Sequence, residues 1–111
     1  ADRTMMLITD FHRVRRVNLT SPPLEIVTIG GSTSPAHRDG TVAESRFDTP
    51  SGIAMLGTNT AFVADRGSHT IRAINLEGDV LVTTLVGEPY DPGSADGSHA
   101  TARFSSPTGV A

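Results

Sequence analysis

Cysteine and tryptophan are missing from this 111-residue chain, and it has a single tyrosine. The first absence excludes disulfides, thiolate metal sites and cysteine nucleophiles, while leaving the compartment open. The shortage of large aromatics removes the stacking platforms on which single-stranded nucleic acid is usually held. Excess charge is missing too. Nine basic against twelve acidic residues give a net charge of −3, which offers no broad attraction to nucleic acid or to an anionic membrane. Nor is there a long hydrophobic run. The longest near the N-terminus, Met5, Met6, Leu7 and Ile8, is too short for a signal h-region or a membrane span. The chain reads as soluble, with no targeting segment in view. It begins at Ala1 rather than Met, and the expectation is that a tag or preceding segment has been removed, which leaves native localisation illegible. Sustained helical periodicity is likewise missing. What remains is a 37% apolar sequence with room for one ordinary domain.

The dominant feature is an internal repeat. An offset of 57 aligns Gly30 with Gly87, Asp39-Gly40 with Asp96-Gly97, Arg46-Phe47 with Arg103-Phe104 and Pro50 with Pro107. The same offset pairs His12 with His69, Arg15 with Arg72 and Asn18-Leu19 with Asn75-Leu76. Upstream the offset becomes 55, with Leu7-Ile8 on Phe62-Val63 and Asp10 on Asp65, so the first copy is two residues shorter in a turn. Such a period marks a repeat architecture whose units need neighbours to bury their faces.

Within a unit the signals are short strands: SGIAML, AFVAD, TIRAINL and LVTTLV, rich in Val, Ile, Thr and Phe. RGSH, with Gly67, and EGD, with Gly78, supply hairpin turns. Four hairpin-linked strands make an antiparallel meander. Strands apolar on consecutive positions fit a small sheet covered on both faces, as in radially packed blades.

The phrases FVADRGSHTIRAI, VTTLVG and ADGSHATARFSSPTGVA resemble the NHL repeat, and the resemblance extends over nearly the whole chain. It implies an all-β fold of β-propeller blades, usually six to a ring. The first copy departs from the pattern where DFHR replaces DRGSHT.

On that reading the chain supplies strands two to four of one blade (MMLIT, RVRRVNL, EIVTIG), a full blade at about 51–87, and the inner strand of a third at 105–111. Two blade equivalents cannot close on themselves, since propellers have about four to eight blades. The expectation is a head-to-tail ring of identical chains, three copies giving six blades and four giving eight. In it an interchain clasp sets Ser106, Pro107, Thr108, Gly109, Val110 and Ala111 against Met5, Met6, Leu7 and Ile8 of a neighbour. Such a permuted two-blade chain is expected to be an excised or engineered fragment.

Meander geometry places the turns between second and third strands, and the long connections between units, on one face. That face carries His12, Arg13, Arg66, Ser68, His69 and Tyr90, and is the candidate binding face for a protein or peptide, since loops on a rigid scaffold are where binding usually resides. The resemblance implies hydrogen bonding within the blade for His12 and His69. Asp10 and Asp65 read as braces for the hairpin turns rather than bases, the basic cluster Arg13, Arg15 and Arg16 as solvated or interblade charge, with Arg15, like its match Arg72, in a strand, and Phe47 and Phe104 as core wedges. Glu88, Asp91 and Asp96 lack the spacing of a calcium loop. No catalytic residue, metal site or cofactor is expected. Three function classes follow: a non-catalytic scaffold that self-assembles, an RNA- or protein-binding propeller face, and a metal-dependent lyase or hydrolase. The last requires converging ligands that the inner strands, with no carboxylate beyond Asp48, do not provide.

Overall fold

The computed structural model describes residues 5–19, 25–57 and 59–93. They form two antiparallel sheets. The first holds β1 (Met5–Asp10), β2 (Arg13–Asn18) and β3 (Glu25–Gly31) in that order. The second holds β4 (Gly40–Thr41), β5 (Pro50–Leu56), β6 (Thr60–Asp65), β7 (Thr70–Asn75) and β8 (Leu81–Val86), ordered β4-β8-β7-β6-β5. Every neighbouring pair is antiparallel. A single 3-10 turn, Arg66–Ser68, joins β6 to β7.

Period-two patterning decides which face is buried. The cross-strand pairs Ala61–Ile74, Val63–Arg72 and Asp65–Thr70 lie on one face of the second sheet, and all six residues are buried. That face meets the first sheet. Val14 and Ile29 pack with Ala61, Val63, Ile74 and Val82, and Phe47, from the connection between the sheets, completes the cluster. Each of the valine and isoleucine side chains contributes roughly 1.5 to 3 kcal/mol when fully buried. Thr9 adds a polar tie at the inner side, donating from Oγ1 to the Ser51 carbonyl at 3.2 Å.

The two sheets are register-matched copies. Ile8 lies opposite Arg15 as Val63 lies opposite Arg72, and Asp10 opposite Arg13 as Asp65 opposite Thr70. The two missing residues of the first copy therefore fall in the β1–β2 turn, where Phe11 and His12 replace residues 66–69. Phe11 bears the consequence, with φ 55 at a non-glycine position.

One alignment needs correction. Val14 pairs with Gly30 and Ile71 with Val86, so the partner of Gly87 is Gly31 rather than Gly30. Both have positive φ, 85 and 99. Gly30 is small for another reason: a Cβ there would lie 2.9 Å from Phe47 Cε2 and 3.2 Å from Val82 Cγ2. The role expected of Gly67 also changes. The positive φ of that turn falls on His69, at 61, while Gly67 lets the turn press against Asp48, whose carboxylate a Cβ would strike. Gly78, with φ 67 and open space around it, is the turn former that the sequence suggests.

The connection 30–44 is more than a loop. Gly40–Thr41 pairs with β8, Gly40 opposite Val82 and Thr41 opposite Leu81, so β8 is not the outermost strand. An Arg38–Arg46 bridge follows.

Candidate functional site

The chemistry-bearing side chains of the second sheet converge on Arg72, which is fully buried. Its Nη1 donates to the Arg46 carbonyl at 2.8 Å and to Asp65 Oδ2 at 3.1 Å. Nη2 donates to the Arg38 carbonyl at 2.8 Å and to Asp39 Oδ1 at 2.9 Å. The guanidinium carbon sits 4.7 Å from the centre of the Phe47 ring, within cation–π range. The connection thus wraps the guanidinium from outside while β6 holds it from within.

Asp65 is the inner counter-ion. Its Oδ1 accepts the Asp48 N–H at 2.8 Å, and its Oδ2 accepts the Ser68 hydroxyl at 2.6 Å. Burial pushes its carboxyl above the usual range, against the opposing effects of Ser68, the Asp48 N–H and Arg72. The brace expected here exists, but the backbone N–H that it takes belongs to the inter-sheet connection instead of the hairpin. Among the described residues Arg72 Nε is buried without a hydrogen-bond partner, so the guanidinium is held through its two Nη atoms; the buried pair is structural in character, since removing either partner would strand the other.

Toward the rim, Thr84 Oγ1 donates to Asp39 Oδ1 at 2.9 Å and meets His37 Nε2 at 2.8 Å. With that hydroxyl proton given to Asp39, the neutral His37 ring is the donor to Thr84. Burial first, then the Arg72 charge, lowers the His37 pKa from its ordinary 6.5.

On the turn face, His12 Nδ1 accepts the Thr49 N–H at 3.1 Å, linking the β1–β2 hairpin to the connection entering the second sheet. Ser68 lies buried beneath the neighbouring turn, sharing 2.7 Å with the Thr70 hydroxyl. Tyr90 is tied in twice: its N–H donates to the Ser68 carbonyl at 2.8 Å, and its hydroxyl donates to Asp48 Oδ2 at 3.0 Å. Burial and the acceptor carboxylate of Asp48 hold its hydroxyl at a pKa pushed up to about 12. Arg13 pairs with Asp10 at 3.0 Å, Arg66 is exposed, and His69 closes the 3-10 turn by donating its N–H to the Arg66 carbonyl at 3.3 Å. The turn face therefore brings His12, Ser68 and Tyr90 together through Asp48 and Thr49, while Arg13 belongs to a separate pair. Residues 106–111 lie outside the described residues. Among the described residues no group of three or more His, Asp or Glu side chains is placed to hold a metal ion, and no helix is long and apolar enough to cross a membrane.

Sequence reading missed Asp48, His37 and Thr84. Asp48 and His37 lie in a connection without strand signals, and their partners are 17 to 47 residues away, a separation no local pattern reports.

Two register-matched antiparallel sheets, packed face to face and joined by a connection that rims the second, define blades of a β-propeller. Comparison with solved structures gives the same class. An auxiliary nutrient binding protein from Bacteroides ovatus aligns with 97% of the chain at a TM-score of 0.80 and 24% identity, using 29% of its own length. No family model matches the chain. It is similar to NHL repeat-containing protein 2 of Homo sapiens, 35% identical over 86 residues, 78% of this chain and 11% of that protein. It is also similar to the Bos taurus protein of that name, 40% identical over 57 residues, 51% of this chain and 8% of that protein. The repeats of this chain are of the NHL type. The chain spans about a tenth of the length of these curated relatives.

Proposed function

We propose that this chain is a non-catalytic scaffold whose blades complete a closed propeller by head-to-tail association of identical copies, three copies forming six blades. The observation that carries the reading is the inequality of equivalent faces. The face of the second sheet that bears Ala61, Ile74 and Val82 is buried on the first sheet, whereas on the matching face of the first sheet Val17 is buried but the flanking Met6 and Ile26 are 47% and 53% exposed. Among the described residues β1 pairs with β2 and has an open inner edge, where its counterpart β6 has β5. The SSPTGVA stretch repeats the sequence that forms β5, and on this reading it takes that edge in a neighbouring copy. A face that needs the surface its own chain presents elsewhere gives a heterologous interface, which closes into a ring when the rotation permits.

The non-catalytic part is supported by the polar network. Asp65, Arg72, His12, Ser68 and Tyr90 are all engaged in bonds that hold the two sheets and their connection together. Similarity to NHL repeats and a propeller-type fold support a scaffold or binding role, and a protein or peptide ligand on the turn face is consistent with the exposed Phe11 and Tyr90 rings. The deciding measurement is the mass in solution by native mass spectrometry. A discrete trimer is expected; a folded monomer at all concentrations overturns the ring.

A further inference from the structure

Residues 36–47 complete the second sheet in a way that the described residues leave undone for the first. They bring to Arg72 the Arg38 and Arg46 carbonyls, the Asp39 carboxylate and the Phe47 ring, and they lay β4 along the edge of β8. The Arg72 side chain is 0% exposed as a result. Arg15 holds the equivalent position, opposite Ile8 as Arg72 is opposite Val63. Its side chain is 26% exposed, and its guanidinium meets Asp10 at 3.5 Å. Ile26, opposite Val17 as Val82 is opposite Ile74, is 53% exposed where Val82 is fully buried.

Charge follows the same asymmetry. Arg72 lies between two carboxylates, Asp65 and Asp39. Among the described residues Arg15 shares one carboxylate, Asp10, with Arg13, so the first sheet has one carboxylate for two cations where the second has an outer aspartate as well. The sequence contains a second version of the cover. RDGTVAESRF at 38–47 is matched by ADGSHATARF at 95–104, with Asp, Gly, Ala, Arg and Phe in the same places.

We propose that the outer edge of β3, with Arg15 and Asp10, is a docking site for the 95–104 stretch of a second copy of this chain. In that stretch Asp96, Arg103 and Phe104 stand where Asp39, Arg46 and Phe47 stand in the cover that encloses Arg72, and Gly97-Ser98 stands where Gly40-Thr41 stands. On the assembly reading the occupant is a second copy. The 36–47 cover follows the first sheet and serves the sheet after it, so a cover following the second sheet serves the next sheet in the stack. In head-to-tail packing, that is the first sheet of another copy. This rests on the assembly reading but concerns the rim, not the inner edge at β1.

The absence of native cysteine makes the test clean. The pair Glu25→Cys with Ser98→Cys matches Thr41 opposite Leu81, and the pair Thr41→Cys with Leu81→Cys serves as the control that should close within one chain. Under mild oxidation the first pair is expected to give a reducible ladder of covalent multimers on a denaturing gel, reduced at least tenfold by adding Arg15→Met. Either single cysteine should stop at a dimer. Exclusive cross-linking within monomers, or no ladder while the control pair closes and native mass shows a trimer, overturns the rim docking and leaves the ring standing. Absence of both ladder and trimer defeats both. Should the cysteine pair disturb folding, hydrogen exchange of the unmodified protein provides the second reading. Amide protection at Glu25 and Ile26 should rise with concentration, and concentration-independent exchange there also overturns the proposal.

Discussion

At the scale of residues, the sole tyrosine is the most accessible reporter of the inter-sheet network. Tyr90 donates to Asp48, whose own N–H is held by Asp65, so ionising the phenol would set two negative charges against each other. With no tryptophan in the chain, absorbance titration near the tyrosinate band reads this one group. The expected pKa is about 12, and Asp48→Asn should move it down toward the ordinary 10.0. A wild-type value near 10 would show that the Tyr90–Asp48 bond does not persist in solution. His37 gives a second handle, in acid. Its folded pKa lies below its ordinary 6.5, so below that pH the unfolded chain binds the proton more readily than the folded one. Stability is complete above about 6.5 and declines as pH falls through the window beneath it. His37→Gln should flatten that part of the denaturation midpoint against pH; an unchanged slope would place the titrating group elsewhere. Tyr90 was legible as part of the candidate binding face but not as a partner of Asp48, and His37 was not legible as part of a site. Tyr90 and His37 sit among Pro, Gly and Asp in segments that read as loops, and both acquire their partners from distant strands. Arg72 was legible only as a strand charge, because nothing local announces that the chain 26 to 34 residues earlier returns to enclose it.

At the scale of elements, the strands were legible to within a residue or two because the residues that build them alternate or cluster in short, turn-bounded runs. TIRAIN buries Thr70, Arg72 and Ile74 on one face and turns at Asn75. The short strand β4 was not legible. Gly40-Thr41 follows Asp39, a pattern that reads as a turn, and its pairing with β8 depends on the route of the whole connection. Gly30 and Gly31 show the same limit: a fixed repeat offset selects the wrong member of the pair, and only the strand register separates a glycine needed for its φ from one needed for its size. That separation is testable. Gly30→Ala drives a methyl to 2.9 Å from Phe47 and 3.2 Å from Val82, inside a core that cannot give way without opening the inter-sheet contact. Overpacking of this kind costs about 1 to 3 kcal/mol. Gly78→Ala meets open space and pays only for its positive φ, about 1 to 2 kcal/mol. Denaturant unfolding of the two variants should therefore differ in kind as well as size: Gly30→Ala should also loosen the Phe47 ring, seen as altered aromatic NMR shifts, while Gly78→Ala leaves those shifts alone. Equal shifts in both variants would mean that Gly30 does not mediate the sheet-to-sheet approach.

At the scale of the whole molecule, the two sheets show a packing mode that is incomplete at one surface. The first sheet uses Val14 and Ile29 to cover the second, and the face it turns away, with Met6 and Ile26, has no equivalent cover among the described residues. If an interface between copies supplies that cover, folding and association are linked, and stability must depend on protein concentration. For a trimer that unfolds to separate chains, mass action then raises the thermal midpoint steadily with concentration. A hundredfold dilution should lower it measurably while the unfolding remains one cooperative transition. If the proposed rim docking exists, Arg15→Met should weaken that dependence, with little effect on a fully dissociated chain, because the Arg15–Asp10 pair is partly exposed and such pairs contribute about 0 to 1 kcal/mol. A midpoint that stays constant across the hundredfold range would mean that the two-sheet unit is stable with Met6 and Ile26 facing water, and the ring would have to be abandoned even if larger species form at high concentration.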